Sequence, residues 1–131
     1  LCALAKSYGI HIMMHSCGAI SKIIPMLCKA GVEILDPIQV TANGIEPESL
    51  ARDHGGKIVF HGGIDTQNVL PYGSVNDVNA HVTSVVDIFA STGGYIFASS
   101  QVLNQDIPNE NVLAMYDAIK NNNMIIKEKK K

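Results

Sequence analysis

The chain alternates between two hydrophobic periods, and the alternation divides it into four similar units. Leu1 to Tyr8 reads as the end of a helix closed by Gly9, a usual residue just past a helix C-terminus. A largely apolar run from Ile10 to Met14 follows and ends abruptly in His15-Ser16-Cys17-Gly18. From Ala19 to Ala30 the apolar residues Ile20, Ile23, Ile24, Leu27 and Cys28 fall on one helical stripe despite Pro25. Cys28 is therefore expected on a core face, as a structural thiol rather than a ligand. Gly31 closes that helix, and Val32 to Leu35 predicts a second strand that stops at Asp36-Pro37.

Glu46-Pro47-Glu48 marks the next helix start, since proline fits the first turn and acids there suit the dipole. That helix ends at His54-Gly55-Gly56, where His54 suits the negative end as a surface residue. Ile58 to Phe60 predicts a third strand running into His61-Gly62-Gly63-Ile64-Asp65, and a longer connection then crosses Pro71 and Gly73. Ser74 with Asp77 forms a capping-box pattern before a helix carrying Val75, Val78, Val82, Val85, Val86 and Phe89, with His81 at the margin of that stripe. Gly93-Gly94 leads to a fourth strand, Tyr95 to Ala98, and Pro108 opens a last helix bearing Val112, Met115, Tyr116 and Ile119. Short strands that are apolar nearly throughout, alternating with helices, predict an α/β fold with a parallel sheet covered by helices.

Length and charge narrow the class. With 131 residues, 47% hydrophobic and 17% charged, the chain suits one globular unit. A formal charge of −2 gives no electrostatic reason to expect nucleic acid or an anionic membrane as a partner. No apolar run approaches the roughly 20 residues of a membrane span. The chain starts at Leu1 inside a predicted helix and shows no signal peptide, which suggests a piece of a longer protein. Three cysteines without regular spacing do not form a disulfide framework, so a reducing cytoplasm is expected. Residues 123–131, Asn-rich and then lysine-rich, read as a solvated polar tail behind a domain of residues 1–122.

The polar residues collect at one edge. His15 and Cys17, Asp36, His61 with Asp65, and Ser99 to Gln101 each follow the C-terminal end of a predicted strand. That is the edge where barrels and open α/β sheets build active sites. In an extended chain, residues two apart share a face, so His15 and Cys17 point the same way. A nitrogen and a sulfur so placed suit zinc, while a buried histidine beside a small apolar cysteine is the plainer reading. Gly62-Gly63 and Ser99-Ser100 would also suit a phosphate held by backbone amides, although no cationic anchor accompanies them. A full eight-stranded barrel takes about 250 residues, so four units amount to half of one, with two open sheet edges.

Four stretches carry a family resemblance: His15-Ser16-Cys17-Gly18, Ile34-Leu35-Asp36-Pro37-Ile38-Gln39, His61-Gly62-Gly63-Ile64-Asp65-Thr66-Gln67 and Asp106-Ile107-Pro108-Asn109-Glu110-Asn111-Val112. Together they resemble the C-terminal half of the uroporphyrinogen decarboxylase superfamily, which also contains zinc-dependent methylcobamide:coenzyme M methyltransferases. The resemblance implies a (β/α)8 TIM barrel. Its His-x-Cys pair is similar to the methyltransferase branch, in which His15 and Cys17 would ligate zinc. That branch takes a third zinc ligand, a cysteine, from the loop after the last strand, where this chain has Gln101. The histidine that decarboxylases place in that loop is absent as well.

The methyltransferase resemblance implies that zinc activates a small thiol such as coenzyme M, which accepts a methyl group from the methyl-corrinoid of a partner corrinoid protein. Gln101 would then stand at the metal or cofactor. Asp36 or Asp65 would orient a ligand or take a proton, with loop-capping as the alternative for both. His61 would support the metal or simply face the barrel interior. Either the missing N-terminal half of the barrel or a homo-oligomer would cover the open sheet edges. The rival readings are a porphyrinogen decarboxylase of tetrapyrrole biosynthesis and a degenerate, non-catalytic homologue.

Overall fold

Four parallel strands form one sheet in the order β1 (Met13–His15), β2 (Ile34–Ile38), β3 (Val59–Ile64) and β4 (Tyr95–Ser99). The computed structural model describes the backbone of residues 1–129 and the side chains of residues 1–122. Helices alternate with the strands: α1 (Cys2–Ser7), α2 (Ile24–Ala30), α3 (Pro47–His54), α4 (Val69–Tyr72), α5 (Val75–Ala90) and α6 (Asn109–Lys129). Sequential parallel strands joined by helices form part of a (β/α) barrel, the α/β architecture that the alternating periods predict. The expected lysine tail falls on residues 123–131, whose side chains lie outside the described residues.

One face of the sheet builds the core. Leu35 and Phe60 stand opposite each other in the β2–β3 register and are fully buried. Val78, Val82, Val85, Val86 and Phe89 of α5 pack onto this face, as the predicted stripe requires. The rings of Phe60 and Phe89 lie 4.9 Å apart, and those of Phe89 and Tyr95 lie 5.3 Å apart. Burial raises the Tyr95 phenol above its ordinary pKa, and its hydroxyl donates to the Gly62 carbonyl at 2.7 Å. The capping box is present: Ser74 Oγ accepts the Asp77 N–H while the Asp77 carboxylate accepts the Ser74 N–H. Helix α6 lies against α5 through Ala114, Met115 and Ala118, and the amide of buried Asn111 donates to the carbonyls of Leu70 and Gly73.

Several elements differ from the sequence expectation. Strand β2 begins two residues late, at Ile34, and runs on through Asp36 and Pro37 to Ile38. Proline cannot donate to a ladder, and the register shift between Leu35 and Ile38 accommodates it. Strand β3 likewise continues through His61-Gly62-Gly63 to Ile64. Gly62 has φ 96°, and a Cβ there would meet Ile38 N and Pro37 Cβ at 3.2 Å, so only glycine lets β3 pass this close to β2. The helix predicted over Ala19–Ala30 divides into a 3-10 turn, Ser21–Ile23, and α2, with Pro25 in the first turn of α2. A short helix, α4, occupies the connection across Pro71, and Tyr116 of α6 is exposed rather than buried.

The opposite face of the sheet carries the site. Register pairs Met13 with Ile34 and His15 with Asp36, then Ile34 with Val59, and His61 with Ile96. By strand alternation these residues share one face. His15, Asp36 and His61 form a polar row on it across three adjacent strands; exposed Ile96 continues the row on β4 beside His61, and exposed Met13 lies below His15 on β1.

Candidate active site

At the C-terminal end of the sheet, Asp36 stands between two imidazoles. His15 Nδ1 lies 2.7 Å from Asp36 Oδ2, and His61 Nδ1 lies 2.6 Å from Asp36 Oδ1. The second contact is close but poorly aligned, and His61 Nδ1 forms no hydrogen bond. Neighbouring strands stand about 4.8 Å apart, so side chains in one row bridge that spacing directly. The Asp36 side chain is 20% exposed, that of His61 24% and that of His15 61%, so the row is open to ligands chiefly at His15.

Beyond β1 the chain stays extended because Ser16 N–H donates to the Asp36 carbonyl at 2.7 Å. Residues 15 and 17 therefore share a face, and Cys17 Sγ lies 3.3 Å from His15 Nε2. Gly18 then turns with φ 85°, its N–H donating to Gln39 Oε1. From the other edge of the sheet, Gln101 Nε2 approaches Cys17 Sγ at 2.8 Å. In a flat sheet β1 and β4 would stand about 14 Å apart. A side-chain contact between their loops requires the C-terminal ends of the strands to lean together, as the wall of a barrel does. Ser100 helps to hold that convergence: its N–H donates to the Ile64 carbonyl and its hydroxyl to the Ile38 carbonyl.

The residues fit part of a zinc site. Tetrahedral nitrogen and sulfur ligands, at about 2.0 and 2.3 Å from zinc, stand about 3.5 Å apart, close to the observed separation. His15 presents Nε2 on that side while Nδ1 faces a carboxylate, the arrangement that fixes the tautomer of a metal-binding histidine. Among the described residues, no group of three or more His, Cys, Asp or Glu side chains is placed to hold one metal ion. This chain therefore offers two strong donors and the Gln101 amide.

Asp65 plays the loop-capping part. It is buried, and its carboxylate accepts the backbone N–H groups of Gln67 and Asn68 and the Asn68 amide, at the start of α4. Both of its oxygens are thereby engaged within its own loop. His81 is half-buried and satisfied: its Nε2 accepts the Asp65 N–H at 3.1 Å. Burial holds this imidazole below its ordinary pKa, against smaller opposing effects of the Gly63 carbonyl and Asp65. Burial lowers His54 too, at the far end of α3. Arg52 is paired with Asp53 in the same last turn.

Sequence reasoning missed the roles of Gln39, of Ser100, and of the Thr41–Gln67 pair, whose side chains meet at 2.7 Å. All four follow strand ends, which was the available signal, but their partners lie far off in sequence. Two clefts open at the other end of the sheet. The larger, about 440 Å³, is lined by Glu33, Lys57 and Thr92 among others, and the second lies beside Arg52 and Gly55. Neither touches the histidine row, and that end of a barrel serves stability rather than chemistry. No helix of the described residues is long and apolar enough to cross a membrane.

The sequence model of the family described as Uroporphyrinogen decarboxylase (URO-D) matches residues 1–122. No curated protein matches the chain.

Proposed function

The chain belongs to the uroporphyrinogen decarboxylase family, and on that premise we propose that it serves a zinc-dependent methyl transfer between a corrinoid protein and a small thiol acceptor such as coenzyme M. One observation carries the reading: Cys17 Sγ faces His15 Nε2 at 3.3 Å while His15 Nδ1 is held by Asp36. A decarboxylation needs no such pair, whereas a thiophilic metal needs both donors on one face. Zinc, when bound, supplies a Lewis acid that favours the thiolate form of an acceptor thiol.

The chain's own residues prepare the place. Asp36 keeps the His15 proton on Nδ1 and so leaves the Nε2 lone pair free. His61, on the other oxygen of Asp36, limits the freedom of that carboxylate. Ser16 and Gly18 hold Cys17 beside His15 through their bonds to Asp36 and Gln39. The remaining donors, and the cover over Met13, Ile96 and the outer edges of β1 and β4, come from another part of the barrel or a second copy of the chain.

A second reading is a porphyrinogen decarboxylase, in which Asp36 between two imidazoles would serve proton transfer instead. A methyl-transfer assay separates the two. Methylcobalamin and coenzyme M are expected to react only with zinc-loaded protein, and not with Cys17→Ser. Release of carbon dioxide from a porphyrinogen, unaffected by zinc or by that substitution, would establish the second reading. Neither activity would mark a degenerate homologue.

A further inference from the structure

We propose that Gln101 is a positioning residue that donates a hydrogen bond to the sulfur of Cys17, and is not itself a ligand of the metal. The inference rests on the zinc reading above and assigns the one side chain that reaches the metal pair from the last strand. Gln101 presents Nε2, its donor end, to Cys17 Sγ at 2.8 Å. A thiolate is an acceptor and pairs with an N–H, and such a charge-assisted bond both orients and stabilises it. To ligate a metal instead, the amide would have to turn over and offer an oxygen, a poor partner for a borderline-soft ion beside a thiolate.

The backbone under Gln101 is held to serve this contact. Ser99 Oγ donates to the Gln101 carbonyl at 2.6 Å. Ser100 bonds to β3 through its N–H and to β2 through its hydroxyl, at 2.8 and 2.7 Å. The loop after β4 is thus tied to the two central strands, and from there the Gln101 side chain spans to the loop after β1. The amide donates to the sulfur at 2.8 Å from across the sheet, while the His15 Nε2 lone pair faces the same sulfur at 3.3 Å from its own strand end and leaves room for a metal between them.

Gln101→Glu separates a donor from a ligand because the two roles predict opposite signs. The carboxylate keeps the length of the side chain, removes the N–H and offers a better oxygen ligand. Zinc affinity is measured by competition with a chromophoric chelator on the protein with its complete barrel, with Gln101→Leu alongside, and cobalt(II) reports sulfur ligation through its thiolate charge-transfer absorption. Loss of an outer partner of a metal ligand costs roughly 10- to 100-fold in affinity. A fall of that size for both variants, with the cobalt–thiolate band retained, is the expected result. Equal or tighter binding by Gln101→Glu would overturn the donor assignment while leaving the zinc reading in place. A parent protein with no cobalt–thiolate band would overturn the zinc reading and this inference with it. Gln101 is exposed, so both variants are expected to keep the parent's circular dichroism.

Discussion

Asp36→Asn would keep the shape of the side chain and remove the charge that both imidazoles face. Its amide nitrogen would present a donor to one histidine. Where that is His15, the ring proton must move to Nε2 and occupy the lone pair a metal would use. Zinc affinity is expected to fall roughly 10- to 100-fold by chelator competition, with the thermal midpoint little changed. Parent-like affinity would remove Asp36 from the site. His81 gives a prediction of pH dependence. Its folded pKa is depressed, so its contribution to stability is full above the unfolded value of about 6.5 and is lost as pH falls from there through the folded value. Urea midpoints should therefore decline on acidification below about pH 6.5, and His81→Gln should flatten that decline. Asp77, also depressed, acts only near and below the ordinary carboxylate range, whereas His54 is lowered by burial as well and shares this window, so His81→Gln removes only part of the decline. At this scale the His15–Cys17 pairing was legible, because two residues in an extended chain share a face whatever the fold. The Asp36 bridge was not, because it depends on the register of strands some 20 residues apart.

The strands and helices follow from local pattern wherever the core and the turn chemistry agree. Helix α5 is the clearest case: its capping box forms and its apolar stripe is buried from Val78 to Phe89, with Val75 alone of the stripe exposed in the first turn. Phe89 packs against both Phe60 and Tyr95, so Phe89→Ala should cost about 3–5 kcal/mol in urea denaturation. A cost below about 1 kcal/mol would mean that α5 does not organise the core. Strand β2 shows where pattern fails. Pro37 marks a strand end to any local reading, and the strand continues only because the β2–β3 ladder shifts register around it. The same holds for Gly62 and Gly63, which look like loop residues: Gly62 lets β3 run close to Pro37, and Gly63 lets it approach Val85 of α5. Both misread segments carry the site, since Asp36 and His61 sit within them.

Across the whole molecule, four parallel strands covered on one side leave the other face and both outer edges unpartnered among the described residues. Met13, exposed beneath the polar row, and Ile96, exposed at its end beside His61, are what a second layer of barrel would cover. The chain alone is expected to associate with increasing concentration in sedimentation velocity, and a monomer throughout would contradict that proposal. The half-barrel architecture was legible because apolar strands alternating with helices admit few alternatives. Convergence of the first and last loops on Cys17 was not, since only a curled sheet brings Gln101 there. The zinc content of the protein purified with its complete barrel, beside the Cys17→Ser variant of the same protein, tests the central claim most directly. Near-stoichiometric zinc in the parent, most of it lost in a variant of unchanged stability, is the predicted result. Equal zinc in the two proteins, or none in the parent, would contradict it.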